Sequence, residues 1–465
     1  MSVAADEGCV RRVVVEPEPE RWATASGQPP HAGPIYSGHQ AQLWHPGILA
    51  KDIVAAHFAR QSGIEARHLV VDQDAHSVWR IEFPHPGNES LESRAILLAA
   101  DVAQVPTGYQ PAADPDTLKG NLSPLPRDAA DRLADAIDHA AAEDPDTLAR
   151  QVAAITQRLA APAGADLPRV FATSFAKAAG FGELVEMMIA DAQRCVRTYN
   201  AEVSRRPEAG MRVLAAGREL VELPLWACRW KQPRERVFVD VADAKRRLAF
   251  ADGTPMDTNK WDILPRALAM TAYLRGGMHG GPITRFIHGL GGGVYDRITD
   301  AWWQRWRDAE LAPAAVATAD VTLGFDVPLA DADELSRAKW HRHHTPHNVD
   351  RLLDLDTPEA RRKRELIAHM DDDRDHARRS AAYHEVQSIN ESLRRDYAEV
   401  VRAADRRLEQ ARRGVNNAGI ATRRDWPLFL YEPSCLQQLA AAMEKKIAND
   451  ATTAKTDKTA KIGRE

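Results

Sequence analysis

Residues 34–71 read PIYSGHQAQLWHPGILAKDIVAAHFARQSGIEARHLVV, and this stretch decides the fold. Residues 34–37 suit a short strand. Residues 47–61 suit a helix, with Ile48, Ile53, Ala56 and Ala59 at roughly helical spacing. Residues 68–71, His-Leu-Val-Val, suit a second strand. Strand–helix–strand at this spacing predicts a parallel α/β layer. Outward from it, 95–99 reads as a third strand. Residues 108–168 are rich in Ala, Asp and Pro, and 127–160 reads as helix, so a helical insertion is expected there. Residues 174–203 read as one helix, with Phe181, Leu184, Val185, Met188 and Ile189 as its apolar stripe. Strands are expected at 221–228, 236–241 and 316–325, with a helix at 264–274. An α/β core with helical insertions over 31–328 follows, preceded by a loose proline-bearing arm over 1–30.

The C-terminal third has a different texture. Thr357 can cap a helix with Pro358 at its first position, and no Gly or Pro follows until Gly414. Ile389, Leu393, Tyr397, Val400, Ala404, Leu408 and Ala411 step by threes and fours, the spacing of a coiled-coil seam. The reading is a long α-helical rod over 358–413 within a helical region at 329–413. Its stripe needs cover, either from an antiparallel helix at 330–341 or from a second copy of the chain. A C-terminal packing helix is expected within 414–448, and a disordered tail over 449–465.

Lys and Arg total 61 against 66 Asp and Glu, which gives a net charge of −5 and no whole-protein field for nucleic acid. No apolar run is long enough to span a membrane, and the first residues hold no signal-peptide core. The expectation is a cytoplasmic protein with a small-molecule substrate, self-association through the helical rod, and no nucleic-acid or membrane partner. Cys9, Cys195, Cys228 and Cys435 are scattered without a C-x-x-C pair, which fits four free thiols in a reducing compartment. Cys195 is weighed as a nucleophile and set below a buried, inert thiol.

Three polar clusters are candidates for chemistry. The first holds Ser37, Gly38, His39 and Gln40, with Lys51 on the following helix; glycine admits a ligand to the backbone, and the lysine can neutralise a carboxylate or phosphate. The second follows the 68–71 strand, where α/β sheets place their ligands: Asp72 and Asp74 with His76, residues suited to acid–base work. The third is a glycine-rich loop, His288-Gly289-Leu290-Gly291-Gly292-Gly293-Val294-Tyr295-Asp296. Two further signals are set aside. His341, His343, His344 and His347 lack accompanying carboxylates or cysteines at ligand spacing and read as basic surface. Asp371–Asp375 reads as the salt-bridged outer face of the rod. No metal site is expected.

In order and spacing these pieces resemble the cysteine-adding enzyme family of bacillithiol biosynthesis, a cysteine ligase family. Its G-x-Q-A-G-L loop and downstream lysine are matched by Gly38, Gln40, Ala41, Leu43 and Lys51. Its E-D-H-D loop has a shuffled counterpart in Asp72, Asp74 and His76. Its R-P-L and F-I-x-G-P-G-E-x-x-Y segments resemble Arg266-Ala267-Leu268 and Phe286-Ile287-His288-Gly289-Leu290-Gly291-Gly292-Gly293-Val294-Tyr295. Gly292 stands where the family carries glutamate. The resemblance implies a Rossmann-like core with helical insertions followed by a dimerising coiled coil, and a ligase-like condensation of a cysteine-like amino acid with a small anionic or sugar-derived substrate. Asp74 and His76 would be catalytic. Ser37, Gly38, His39, Gln40, Lys51, Asp72, Arg266, His288, Gly289, Gly291, Gly292, Tyr295 and Asp296 would bind substrate. No motif names an activating cofactor. Two alternatives stand beside this reading: a binding protein that has lost catalysis, and a scaffold that uses the long helix.

Overall fold

The computed structural model describes residues 8–17, 33–100 and 102–462, with side chains as far as Ala448. The chain begins with β1 (Val10–Glu16), β2 (Ile35–Gln40), α1 (Pro46–Ser62) and β3 (Ala66–Val71). A hairpin of β4 (Arg80–Pro86) and β5 (Leu91–Leu97) comes next, then α2 (Pro115–Gly120), α3 (Arg127–Ala142), α4 (Leu148–Ala160) and β6 (Arg169–Phe171). Helices α5 (Ala179–Ala190) and α6 (Ala192–Arg205) precede β7 (Leu220–Cys228), β8 (Glu235–Asp240), β9 (Leu248–Ala249) and β10 (Asp262–Pro265). Then come α7 (Ala267–Arg275), β11 (Arg285–His288), α8 (Leu290–Arg307) and β12 (Ala314–Val321). Helices α9 (Ala332–His344), α10 (Val349–Leu352), α11 (Pro358–Asp372), α12 (His376–Asp396), α13 (Ala398–Ala421) and α14 (Pro433–Ile462) complete it.

Two compact units result. The larger is built from Ala5–Phe83, Ala95–Leu323 and Arg424–Glu465; the smaller from Pro84–Arg94 and Gly324–Arg423. The larger is a mixed α/β unit around a six-stranded sheet in the order β1-β12-β11-β2-β3-β6. All neighbours are parallel except β1, which runs antiparallel to β12. Tyr36, Leu69 and Phe286 on one face join Val196, Ile298 and Trp302 from α6 and α8 in the main core. On the other face Ser37 and His68 meet Asp52 of α1. A separate antiparallel sheet, β10-β7-β8-β9, joins the same core through Leu223, Leu225, Val237 and Val239.

Several expectations need correction. The arm read as loose contains β1, an edge strand; the part of it over 18–30 lies outside the described residues. The 95–99 strand belongs to the β4–β5 hairpin, not to the parallel layer. The helix expected at 174–203 is two helices that meet at Asp191. Cys9 and Cys435 form a disulfide, with Cα atoms 6.0 Å apart, because α14 packs beside β1. That pair removes the thiol argument for a reducing compartment. Cys195 and Cys228 are buried thiols, and burial pushes Cys195 well above its usual range, as an inert core group requires. Among the described residues no helix is long and apolar enough to cross a membrane. The 449–465 tail has its side chains outside the described residues, although the α14 backbone continues to Ile462.

The rod is also corrected. In the smaller unit it is three helices, broken at Asp373–Asp375 and at Tyr397. Asp375 accepts from the backbone N–H groups of Ala377 and Arg378 and so caps α12; Asp371 and Asp372 end α11, and the rest of the acidic run is the connection between the two helices. Across that connection α11 and α12 fold back on one another, with Arg362 Nε 2.8 Å from Glu385. The seam's spacing is real: Leu393, Ala404, Leu408 and Ala411 are buried. Its cover comes from within the chain, since Ala338 of α9 packs on Leu408 and Ala411. The argument for a dimer through a coiled coil thereby loses its basis.

Candidate functional site

Within the larger unit, chain order along the sheet reverses at β2. From β2 the chain passes through α1 to β3 and on to β6; β11 and β12 lie on the other side. Ligands in such sheets occupy the carboxyl edge. All three sequence clusters come to that edge. Gly38 lies so close to its neighbours that a Cβ there would stand 3.1 Å from Leu69 and 3.2 Å from Phe286. Lys51, 2% exposed, donates from Nζ to the Gly38 carbonyl at 2.5 Å. Burial pushes its ammonium down to about 8. A Cβ on Gly289 would lie 4.0 Å from Lys51 Cδ.

The glycine-rich stretch is not a loop. Gly289 is the N-cap of α8, and Gly291–Gly293 form its first turn. A side chain at Gly292 would strike the His288 ring, and one at Gly293 would strike Val316 at 2.4 Å from its ideal Cβ. The glycines therefore let α8 start hard against β11 and β12. His288 Nε2 lies 2.6 Å from Asp296 on the second turn, and Asp296 lies 3.1 Å from Arg275. Tyr295 is exposed.

A second network runs from the same edge toward the antiparallel sheet. Gln40 donates to Asp74 at 3.4 Å, and Asp74 pairs with Arg234 at 2.7 Å. The guanidiniums of Arg234 and Arg266 lie over the Trp226 ring, 4.3 and 3.9 Å from its centre. Arg266 pairs with buried Glu222 at 2.9 Å. His76 Nε2 lies 3.1 Å from the Ala41 carbonyl, and His39 Nε2 lies 2.9 Å from Gln42. Ser37 points to the opposite face: its hydroxyl donates to Asp52, and His68 Nδ1 stands 3.1 Å from Ser37 and 2.9 Å from Asp52. This buried trio is no nucleophile relay, because one imidazole nitrogen meets both partners. Of the predicted residues, Gln40 with Asp74, Lys51 with Gly38 and His288 with Asp296 are engaged with each other; Ser37 faces away, and Asp72, His76 and Arg266 hold other partners.

Open space lies next to them. A cleft of about 910 Å³ runs along the edge strand β6, lined by Arg169, Val170 and Phe171, then Asp72, Gly108, Thr173, Lys177 and the Cys228-Arg229-Trp230 end of β7. Asp72 follows β3 and forms the cleft's buried wall. Its carboxylate accepts from Thr173 N at 2.8 Å and Thr173 Oγ1 at 2.6 Å. Gly108 leaves it room, since a Cβ there would come within 2.8 Å of Asp72 Oδ2. Desolvation outweighs these bonds and pushes the carboxyl up to about 6. Arg150 lies over Phe171, 4.8 Å from the ring centre, and pairs with Asp146 at 3.4 Å. Arg169 has no ion pair or hydrogen bond among the described residues, and burial pushes its guanidinium down to about 10. Sequence reasoning reached Asp72 but missed Arg169, Arg150, Lys177, Arg229 and Trp230. The available signal was the Arg-Trp-Lys run that ends an apolar strand. Among the described residues no group of three or more His, Cys, Asp or Glu side chains is placed to hold a metal. No protein-family model matches the chain, and no curated protein matches it. The resemblance to the cysteine ligase family rests on the quoted motifs alone.

Proposed function

We propose that the larger unit is a Rossmann-like enzyme core that binds a small anionic metabolite in the Arg169 cleft, with Asp72 as the proton-transferring group. The reaction class is condensation of an amine with the anionic partner, the ligase-like chemistry of the motif resemblance. The carrying observation is Arg169: a partly buried guanidinium that feels the carboxylates of Asp52, Glu143 and Asp166 but forms an ion pair with none of them, facing 910 Å³ of open space at the carboxyl edge of the sheet. A buried cation is costly unless something pairs with it, and an anionic ligand is the missing partner. The order of the five parallel strands supports the Rossmann-like reading. Asp72 takes the acid–base role expected of Asp74 and His76, because Arg234 already neutralises Asp74 and the Ala41 carbonyl engages His76.

The test is calorimetric titration with sulfate, pyrophosphate and citrate. At least one should bind, and Arg169→Ala should weaken it by about tenfold or more, the loss of one charge-assisted contact. Thermal unfolding of the free variant should stay near wild type. Anions that bind the variant equally well, or none that binds wild type, would end the proposal.

Asp72 adds a pH signature. As pH falls through about 6 its carboxylate takes up a proton and the cleft loses one negative charge. Sulfate, which does not titrate in this range, should then bind about tenfold tighter at pH 5 than at pH 7.5, the order expected for one charge several ångströms away at an effective dielectric near 20. Arg150, Tyr109 and Cys228 act directly on Asp72, and Arg169, Lys177, Arg229, Lys260, Asp146 and Asp262 line the same cleft. Asp72→Asn separates its contribution from theirs: the profile should flatten at the tighter level.

A further inference from the structure

The anion accounts for only part of the cleft. Trp230 also lines it and is 46% exposed, with neither a ring partner nor a cation over its face among the described residues. Of the other two aromatic lining residues, Phe171 already carries the Arg150 guanidinium, and Tyr109 is buried with its hydroxyl donating to Asp262 at 2.7 Å. The backbone beside Trp230 is held and is not a loose tip. Lys231 N donates to the Tyr109 carbonyl at 2.9 Å and Gln232 N to the Arg229 carbonyl at 3.0 Å, while Lys231 adopts φ 57°, a strained value for a side-chain-bearing residue. A half-exposed indole on a held turn at a polar cleft offers a flat surface that water serves poorly.

The charges around it have a matching asymmetry. Five cations line the cleft, Arg150, Arg169, Lys177, Arg229 and Lys260, against the carboxyls of Asp72, Asp146 and Asp262. Arg150 is taken by Asp146 and Lys260 by Asp257. Arg169, Lys177 and Arg229 have no ion pair among the described residues. Three uncommitted cations therefore share the cleft with one uncommitted ring. A bare inorganic anion would leave most of 910 Å³ to water, whereas a mononucleotide-sized ligand fits a cleft of this size.

Resting on the anion-binding reading above, we propose that the cleft takes a flat heteroaromatic ring carrying a phosphate arm, of the nucleoside monophosphate class, with its ring on Trp230 and its phosphate on Arg169 and Lys177. The test titrates the full chain with adenosine 5′-monophosphate, ribose 5-phosphate and sulfate. The nucleotide should bind about tenfold or more tighter than ribose 5-phosphate, the scale of one base–aromatic stack. Trp230→Ala should erase that difference and leave ribose 5-phosphate unchanged; Arg169→Ala should weaken both. Equal binding of the two phosphates to wild type, or a nucleotide affinity indifferent to Trp230→Ala, overturns the ring assignment while anion binding stands. If none of the three probes binds, the ring assignment falls together with the reading beneath it.

Discussion

Asp296→Ala is expected to cost the folded chain about 3–5 kcal/mol, because it strips one side from a buried ionic cluster. Asp296 is 3% exposed and lies between His288 at 2.6 Å and Arg275 at 3.1 Å. Arg275, 4% exposed, would keep Asp300 and the Ala312 carbonyl, which places the loss toward the lower end. His288 would lose the group that fixes it at the end of β11, just where α8 must start. Urea unfolding of the variant measures the loss. An acid arm accompanies it. Burial raises the Asp296 carboxyl, but His288 and Arg275 outweigh burial and hold it below its ordinary 3.8. A carboxylate depressed in the folded state stabilises fully above its unfolded value and ceases to do so as pH falls through the folded one. Wild type should therefore lose stability below about pH 4 more steeply than the variant. If Asp296 and His288 are instead substrate ligands, as the motif resemblance implies, the variant keeps its unfolding midpoint and loses only binding.

The contrast between those outcomes reflects what a motif can carry. Residues 34–71 announced their fold because the signal was redundant: an apolar strand, a capped helix with small residues on its buried face, and another apolar strand. Strands β6 and β11 are three and four residues long. β11 opens on Arg285, which is 2% exposed, so neither alternation nor composition marks it. Without β11 the glycines after it look like a loop. With it they are the close start of a helix, and their lack of side chains answers to His288 and Val316. β1 was hidden by the prolines that follow it, Pro17 and Pro19, although Val13-Val14-Val15 lies within it. The Cys9–Cys435 pairing spans 426 positions and exists only because α14 returns to the sheet.

The site was legible as a place more than as a set of roles. Sequence reasoning put two of its three polar clusters at strand ends and read the third as a glycine-rich loop; in the structure Gln40 touches Asp74 and Lys51 lies beside Gly289. It could not show that Asp74 is neutralised by Arg234, 160 residues away in the chain, because ion pairing depends on tertiary neighbours. For the same reason Arg169 looked ordinary. Its interest lies in the absence of an ion pair among the described residues, and one-dimensional text does not contain that information.

The helical unit supplies the sharpest case of a charge whose setting the sequence conceals, and the second large effect. Lys363 sits in the run Arg361-Arg362-Lys363-Arg364, where every residue reads as solvated. Yet it is 2% exposed, and its ammonium donates to Asp350 at 2.5 Å and to the His347 carbonyl at 2.6 Å. Asp350 is 1% exposed, and its second carboxylate oxygen has no hydrogen bond. Lys363→Ala would leave that carboxylate buried without a counter-charge and open a cavity where the lysine stem packed. The expected cost is about 3–5 kcal/mol, seen as early loss of helical signal in urea unfolding followed by circular dichroism. Arg362→Ala, one position earlier, removes only exposed pairs, with Glu385 and Glu365, and should cost less than about 1 kcal/mol. The double change Lys363→Met with Asp350→Leu should recover most of the loss, since apolar groups of similar volume can replace a buried pair at little cost. A single Lys363→Ala variant as stable as Arg362→Ala would mean that water reaches this pair, and that α11 does not pack on the α10 turn as described.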